Sequence, residues 1–174
     1  LHAEIAGQGE PFILLHGFTG CAANWEPFIP NWSRRYRIVA VDIIGHGNSD
    51  APADVSRYSM EHAVNDLAAL MDALGIDSAA VLGYSMGGRL ALSLAVLKPK
   101  RVRALILESS SPGLRTAEER MERVKQDEAL AARIEREGVK RFVSYWENIP
   151  LFQSVKRMPE EVQERIRRQR LNNR

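Results

Sequence analysis

The chain has 174 residues, 45% of them hydrophobic and 26% charged, with a formal net charge of +2 at pH 7. That length fits one domain with a sizeable core, and the near-neutral balance argues against a nucleic-acid or membrane partner. The single cysteine, Cys21, excludes an internal disulfide framework and suits a reducing compartment. No signal peptide and no apolar run of about 18 residues is found, so a cytoplasmic protein is expected. The basic charge is local: from Arg115 onward there are 15 Lys and Arg against 11 Asp and Glu, whereas the residues before it hold 9 against 11.

Leu1 to Ala6 alternates and reads as a strand. Gly7-Gln8-Gly9 turns it into a second, Pro11 to Leu15, which is apolar throughout, as suits a strand buried on both faces. His16-Gly17-Phe18-Thr19-Gly20 follows. Alone, this is a loop with a glycine turn; upstream of a catalytic serine turn, the same position supplies a backbone amide for a developing oxyanion, here that of Phe18. Trp25 and Phe28, near Pro27 and Pro30, are read as core packing. Tyr36 to Val41 is the next buried strand. The loop from Asp42 to Ser49 carries two glycines but is not G-x-G-x-x-G and opens no helix, which excludes a dinucleotide site. Its reading is structural, with His46 a hydrogen-bonded loop residue. Met60 to Leu74 is an amphipathic helix with Ala63, Val64, Leu67, Leu70, Met71 and Leu74 on one face, closed by Gly75. Ile76 to Gly83 is expected to be a strand.

Gly83-Tyr84-Ser85-Met86-Gly87 has the form G-x-S-x-G, set between that strand and an apolar helix marked by Leu90, Ala91, Leu94, Ala95 and Leu97. In so sharp a strand-to-helix turn, the positions two residues either side of the serine have no room for a Cβ. The turn pushes the hydroxyl into open space and leaves the Met86 amide, at the helix N-terminus, available for negative charge. Ser85 is thus the candidate nucleophile. Pro99 ends the helix, and Val102 to Leu107 forms a strand running into Glu108-Ser109-Ser110-Ser111. Alternating strands and helices imply a parallel sheet, whose ligands sit beyond the carboxyl ends of the strands. His16, Asp42, Ser85 and Glu108 all lie at such ends.

From Pro112 the pattern is helical only. Thr116-Ala117-Glu118-Glu119 is a capping box for a helix through Met121 and Val124; Leu130, Ala131 and Ile134 carry another to Gly138. Val139, Phe142, Val143 and Trp146 give a third, and Pro159 starts a fourth with Val162, Ile166 and Arg170. This block, residues 112–174, reads as a helical lid inserted after the sixth strand of such a sheet, residues 1–111 being the incomplete core.

With the strand leading into His16-Gly17-Phe18, the Asp42 to Ser49 loop in the form D-x-x-G-H-G-x-S, and G-Y-S-M-G-G from Gly83 to Gly88, the chain resembles the α/β-hydrolase superfamily over essentially its whole length. The resemblance implies an α/β fold: a mostly parallel sheet with helices on both faces and a helical lid. Glu108 to Leu114, Ala117-Glu118-Glu119-Arg120, Trp146 and Pro150 to Ser154 are similar to one branch, the 2-succinyl-6-hydroxy-2,4-cyclohexadiene-1-carboxylate synthases of menaquinone biosynthesis. That likeness implies a lyase. A triad-activated serine, here Ser85, removes a proton from a cyclohexene substrate and pyruvate is expelled, with no cofactor and no metal. It also implies Phe18 and Met86 as oxyanion donors, Arg89, Arg123 and Arg170 as arginines gripping a small anionic substrate, and Tyr84 and Trp146 as aromatic pocket residues.

Arg89 has a physical reading of its own. It lies four residues past Ser85, about one helical turn along the same face, in an otherwise apolar helix. A guanidinium buried there needs an anionic partner, either a substrate carboxylate gripped by its fork or an internal acid. For Arg123 and Arg170 the alternative is a solvated helix face.

The sequence also departs from the pattern it resembles. In this fold the order is serine, then Asp or Glu, then histidine. His2, His16, His46 and His62 all precede Ser85, so the expected base is absent, and a serine without a base is a poor nucleophile. Glu108 could act as an acid in a variant triad but has no histidine to orient. The chain begins without Met and stops at or just after a helix. The expectation is a piece of a longer protein, with the acid and histidine beyond Arg174 and little activity in the piece alone. Two other readings stay open: a serine hydrolase acting on a small ester or carbon–carbon bond through the same Ser85, and a non-catalytic ligand-binding member of the fold.

Overall fold

The apolar runs become the middle of one sheet. In the computed structural model, which describes residues 1–173, five strands are β1 (His2–Ala6), β2 (Glu10–Leu15), β3 (Tyr36–Asp42), β4 (Ala79–Tyr84) and β5 (Val102–Glu108). Their spatial order is β1-β3-β2-β4-β5. β2 pairs in parallel with β3 and β4, and β4 with β5, while β1 runs antiparallel to β3. The helices are the one-turn α1 (Ile29–Trp32), α2 (Met60–Ala73), α3 (Met86–Leu97), α4 (Ala117–Trp146) and α5 (Glu160–Leu171).

Period-two alternation sorts the strand side chains into two cores. Ile13, Leu15, Val39, Val41 and Val81 meet Val64, Leu67 and Met71 of α2 and Leu90, Ala91 and Leu94 of α3. On the opposite face Phe12, Leu14, Ile38, Ala40 and Leu82 meet Ala22, Trp25, Ile29 and Trp32. Both faces of β2 and β3 are covered, which is why those strands read as unbroken apolar runs. Each such buried aliphatic side chain contributes about 1.5–3 kcal/mol. β5 is different: it is bonded to β4 alone among the described residues, and Ile106 and Leu107 are 46% and 41% exposed.

Several expectations are corrected. β4 begins at Ala79 rather than Ile76, because Ile76 closes α2. Its amide donates to the Met71 carbonyl at 2.9 Å and the Gly75 amide to that of Asp72 at 3.0 Å, a Schellman motif whose apolar residue is buried Ile76. Phe28 is 46% exposed, stacked on Trp32 instead of being buried, whereas Trp25 is buried as expected. The helical stretch follows β5, as expected from Pro112 onward. Its first two expected helices are one, since nothing between Met121 and Ile134 breaks a helix and the Arg123–Asp127 and Gln126–Glu122 pairs support it at i, i+4 spacing. The interruption comes at Gly138, whose φ of 76° and ψ of 162° no other residue type adopts without strain.

The chain divides into two compact units, Leu1–Pro112 and the remainder from Gly113. In the second, the Thr116 hydroxyl accepts from the Glu119 amide at 3.1 Å while Glu119 accepts from the Thr116 amide at 3.0 Å, forming the expected capping box. Phe142 and Val143 are buried, Trp146 packs between Phe142 and Phe152, and the Arg170 guanidinium lies 4.4 Å from the Phe152 ring centre. Among the described residues no helix is long and apolar enough to cross a membrane.

Candidate active site

The turn at Ser85 has no slack. β4 ends at Tyr84 and α3 begins at Met86, so Ser85 alone makes the bend, with φ 52° and ψ −111°. A non-glycine residue in that region carries strain of about 1–3 kcal/mol and persists only where its surroundings hold it. They do so here from several sides. The Ser85 amide donates to the Glu108 carbonyl at 2.9 Å. Its carbonyl accepts from the amides of Gly88 (3.1 Å) and Arg89 (3.2 Å) and from the Ser110 hydroxyl (3.1 Å). A Cβ on Gly83 would run into the Gly87 backbone, and one on Gly87 would reach the carbonyl oxygens of Leu15 and His16. The glycines of the motif are therefore required by the closeness of α3 to the ends of β4 and β2.

The Ser85 hydroxyl makes no hydrogen bond among the described residues, and the residue is half-buried. The Met86 amide, first in α3, has no carbonyl partner in its own helix, as at any helix N-terminus. The strand-end loop after β2 lies against the same point, since a Cβ on Gly17 would sit 2.8 Å from the Tyr84 ring and 3.4 Å from Ser85 Cβ. Phe18 follows directly, 40% exposed, its ring 6.0 Å from that of His46. Phe18, Tyr84, Ser85, Met86 and Arg89 thus gather at the carboxyl ends of β2 and β4.

The loops behind this point are pinned by buried polar groups. Asp42, fully buried, accepts from the Ala22 amide at 2.6 Å and the Asn48 amide at 2.9 Å, and lies 2.9 Å from His2 Nδ1. Ser49 donates to the Asp42 carbonyl at 2.6 Å. His16 is also buried; its Nε2 accepts from the Ile43 amide at 3.0 Å, which leaves Nδ1 to donate to the Gly17 carbonyl at 2.8 Å. Burial pushes the His16 pKa down to about 4, so the ring is neutral. Burial lowers that of His46 as well, whose Nδ1 pairs with the Ile44 carbonyl. His62 Nδ1 is engaged by Ser59. Each of the four histidines has a structural partner, and none is hydrogen-bonded to Ser85 Oγ.

Arg89 is half-buried rather than buried, and among the described residues its guanidinium makes no hydrogen bond or ion pair. The internal acid that sequence reasoning left open as its partner is not there. In the second unit Arg123 is on the exposed face of α4, its Nε 2.8 Å from both carboxylate oxygens of Asp127, while Trp146 and Arg170 converge on Phe152. Arg170 is buried, unlike a residue of a solvated helix face. A concavity of about 370 Å³ in the first unit is lined by Ile44, Asp50, Arg57, Asp66 and Leu70 and does not include Ser85. Among the described residues no three His, Cys, Asp or Glu side chains converge to hold a metal ion. Ser110 was missed as a member of the elbow; its signal, a polar run at the same sheet end as Ser85, carried no register information.

Residues 10–153 match the family described as alpha/beta hydrolase fold. The chain belongs to that family. Among its α/β-hydrolase relatives is a Bacillus subtilis (strain 168) protein, named provisionally as a 2-succinyl-6-hydroxy-2,4-cyclohexadiene-1-carboxylate synthase. It is 48% identical over 170 residues, covering 98% of this chain and 62% of the relative. A protein of that name from Klebsiella pneumoniae is 32% identical over 155 residues, which is 85% of this chain and 59% of its own length. The structure of MenH from S. aureus superposes with a TM-score of 0.92 at 32% identity, covering 99% of this chain and 66% of that one. The chain therefore spans about six-tenths of the length of the curated relatives it matches. As in the α/β-hydrolase elbow motif, the serine here stands between a strand and a helix with amides close by.

Proposed function

We infer that the protein is a lyase of menaquinone biosynthesis, eliminating pyruvate from an enolpyruvyl cyclohexene tricarboxylate to give 2-succinyl-6-hydroxy-2,4-cyclohexadiene-1-carboxylate. The observation that favours this over a plain serine hydrolase is Arg89, a cation one turn beyond the strained Ser85 with no internal acid to neutralise it. A neutral ester has no use for it, whereas a carboxylate matches its fork. The likeness to the Bacillus subtilis protein, which runs through both units, supports the same reading.

In the proposed step the Ser85 oxygen, having given its own proton to a base, takes a proton from a ring carbon of the substrate. The C–H electron pair becomes a ring double bond, the bond from ring carbon to enolpyruvyl oxygen breaks, and its pair leaves as the enolate of pyruvate. The base is none of His2, His16, His46 or His62, all of which are engaged elsewhere. The amides of Met86 and Phe18 would face the negative charge that develops on substrate oxygen. Tyr84 would pack on the ring. Residues 112–174 are assigned the part of a lid, contributing Arg123, Trp146 and Arg170 to binding.

Arg89→Ala in the full-length protein tests this. Turnover of the tricarboxylate is expected to fall roughly hundredfold, about 3 kcal/mol of transition-state stabilisation, while cleavage of a neutral aryl ester stays within about twofold. Unchanged turnover of the tricarboxylate would overturn the role given to Arg89, and a wild type that cleaves the aryl ester but does not turn over the tricarboxylate would overturn the lyase in favour of the serine hydrolase. Failure of a fluorophosphonate to label Ser85 would favour a non-catalytic binding protein.

A further inference from the structure

The Ser85 carbonyl and the Met86 amide belong to one peptide unit, which is planar and trans, so the C=O and N–H point in opposite directions. Whatever grips the carbonyl therefore aims the amide. Three donors grip it: the amides of Gly88 and Arg89 at 3.1 and 3.2 Å, which come with the helix, and the Ser110 hydroxyl at 3.1 Å, which does not. Ser110 reaches it from the segment just past β5. That segment is itself shaped for the contact: Ser109 has a φ of 49°, and the Glu108 carbonyl accepts the Ser85 amide. Ser85 is thus tied at both its N–H and its C=O to the end of β5. The fit leaves no room for rearrangement, because a Cβ on Gly88 would lie 2.6 Å from both Cβ and Oγ of Ser110.

The geometry points to Ser110 as a positioning residue for the candidate oxyanion donor: its hydroxyl, by holding the Ser85 carbonyl, fixes the plane in which the Met86 amide is presented. The same hydrogen bond polarises the peptide unit, making Met86 N–H a stronger donor. Ser110 touches no reacting atom in this role. The inference rests on reading Ser85 as the nucleophile but not on the identity of the substrate.

The test is the reaction of the full-length protein with a fluorophosphonate, followed as a function of reagent concentration so that the limiting rate at saturation is separated from reagent affinity. Ser110→Ala is expected to lower the limiting rate about five- to tenfold, with affinity within about twofold and the final stoichiometry of labelled Ser85 unchanged. Ser110→Thr, which restores the hydroxyl, is expected to recover most of the loss. A limiting rate in Ser110→Ala equal to that of the wild type would overturn the proposal. So would an equal loss in Ser110→Ala and Ser110→Thr, which assigns the effect to packing against Gly88. A wild type that is not labelled at all overturns the nucleophile reading and the proposal with it, an outcome distinct from the other two.

Discussion

The two units of the chain are held in place by different means. Among the described residues, 23 of the 25 buried apolar side chains belong to the first unit and two, Phe142 and Val143, to the second. In the first, Ser85 sits where strand, helix and neighbouring strand ends leave no free volume, so its strained backbone is enforced by contacts from β2, β5 and α3. In the second, order comes from local devices: the capping box at Thr116, helix-face pairs such as Arg133 with Glu137, and the ion pair of Arg167 with Glu147. Such pairs at a protein surface contribute about 1 kcal/mol or less each. The difference teaches that a strained turn needs a rigid frame, while amphipathic helices can be held by weaker, more local forces.

The sharpest way to break that comparison is to insert one methyl group into the elbow. Gly87→Ala forces a carbon against the Leu15 and His16 carbonyl oxygens, and urea denaturation should show a loss of about 3 kcal/mol or more, or no folding at all. A Gly87→Ala variant of wild-type stability would show that the elbow is not over-determined. Next in size is the response to acid. His16 is neutral when folded, with a pKa of about 4, but ordinary at 6.5 when unfolded. Between those values the unfolded chain holds a proton that the folded one does not, so acid favours unfolding. Stability should be flat above about pH 6.5 and fall by roughly 3 kcal/mol as pH drops to 4. His16→Gln, which keeps an acceptor for the Ile43 amide, should cut that slope to the part that His46, also lowered by burial, contributes; an unchanged slope would assign it to other groups. The smallest effect belongs to the second unit. Thr116→Ala removes one cap, and exchange of the Glu119 amide should speed up about fivefold, the equivalent of roughly 1 kcal/mol, with exchange in β2 and β3 unchanged.

What could be read from the residues follows the same division between local and distant causes. The G-x-S-x-G elbow was legible because its glycines answer to a single bend, and the Thr116 box because its partners are three residues apart. Ile76 was not, since an apolar residue after Gly75 suits a strand start as well as a Schellman contact, and only the hydrogen bond back to Met71 separates them. Gly138 reads as a helix end, yet the chain resumes a helix directly after one residue of non-helical backbone. The spacing of Arg89 from Ser85 reads as one helical turn, and the Arg89 amide bonds to the Ser85 carbonyl, but whether an acid from another element meets it depends on packing that periodicity does not describe. Ser110 lies 25 residues from its partner, and no pattern in one strand end reveals the register of another.

The half-paired strand β5 has a consequence for handling this chain. Its unbonded backbone groups, with Ile106 and Leu107 beside them, offer a ready template on which a second copy can lay a strand of its own. A lysine at position 106 would set a charge on that rim and is expected to disfavour strand pairing there.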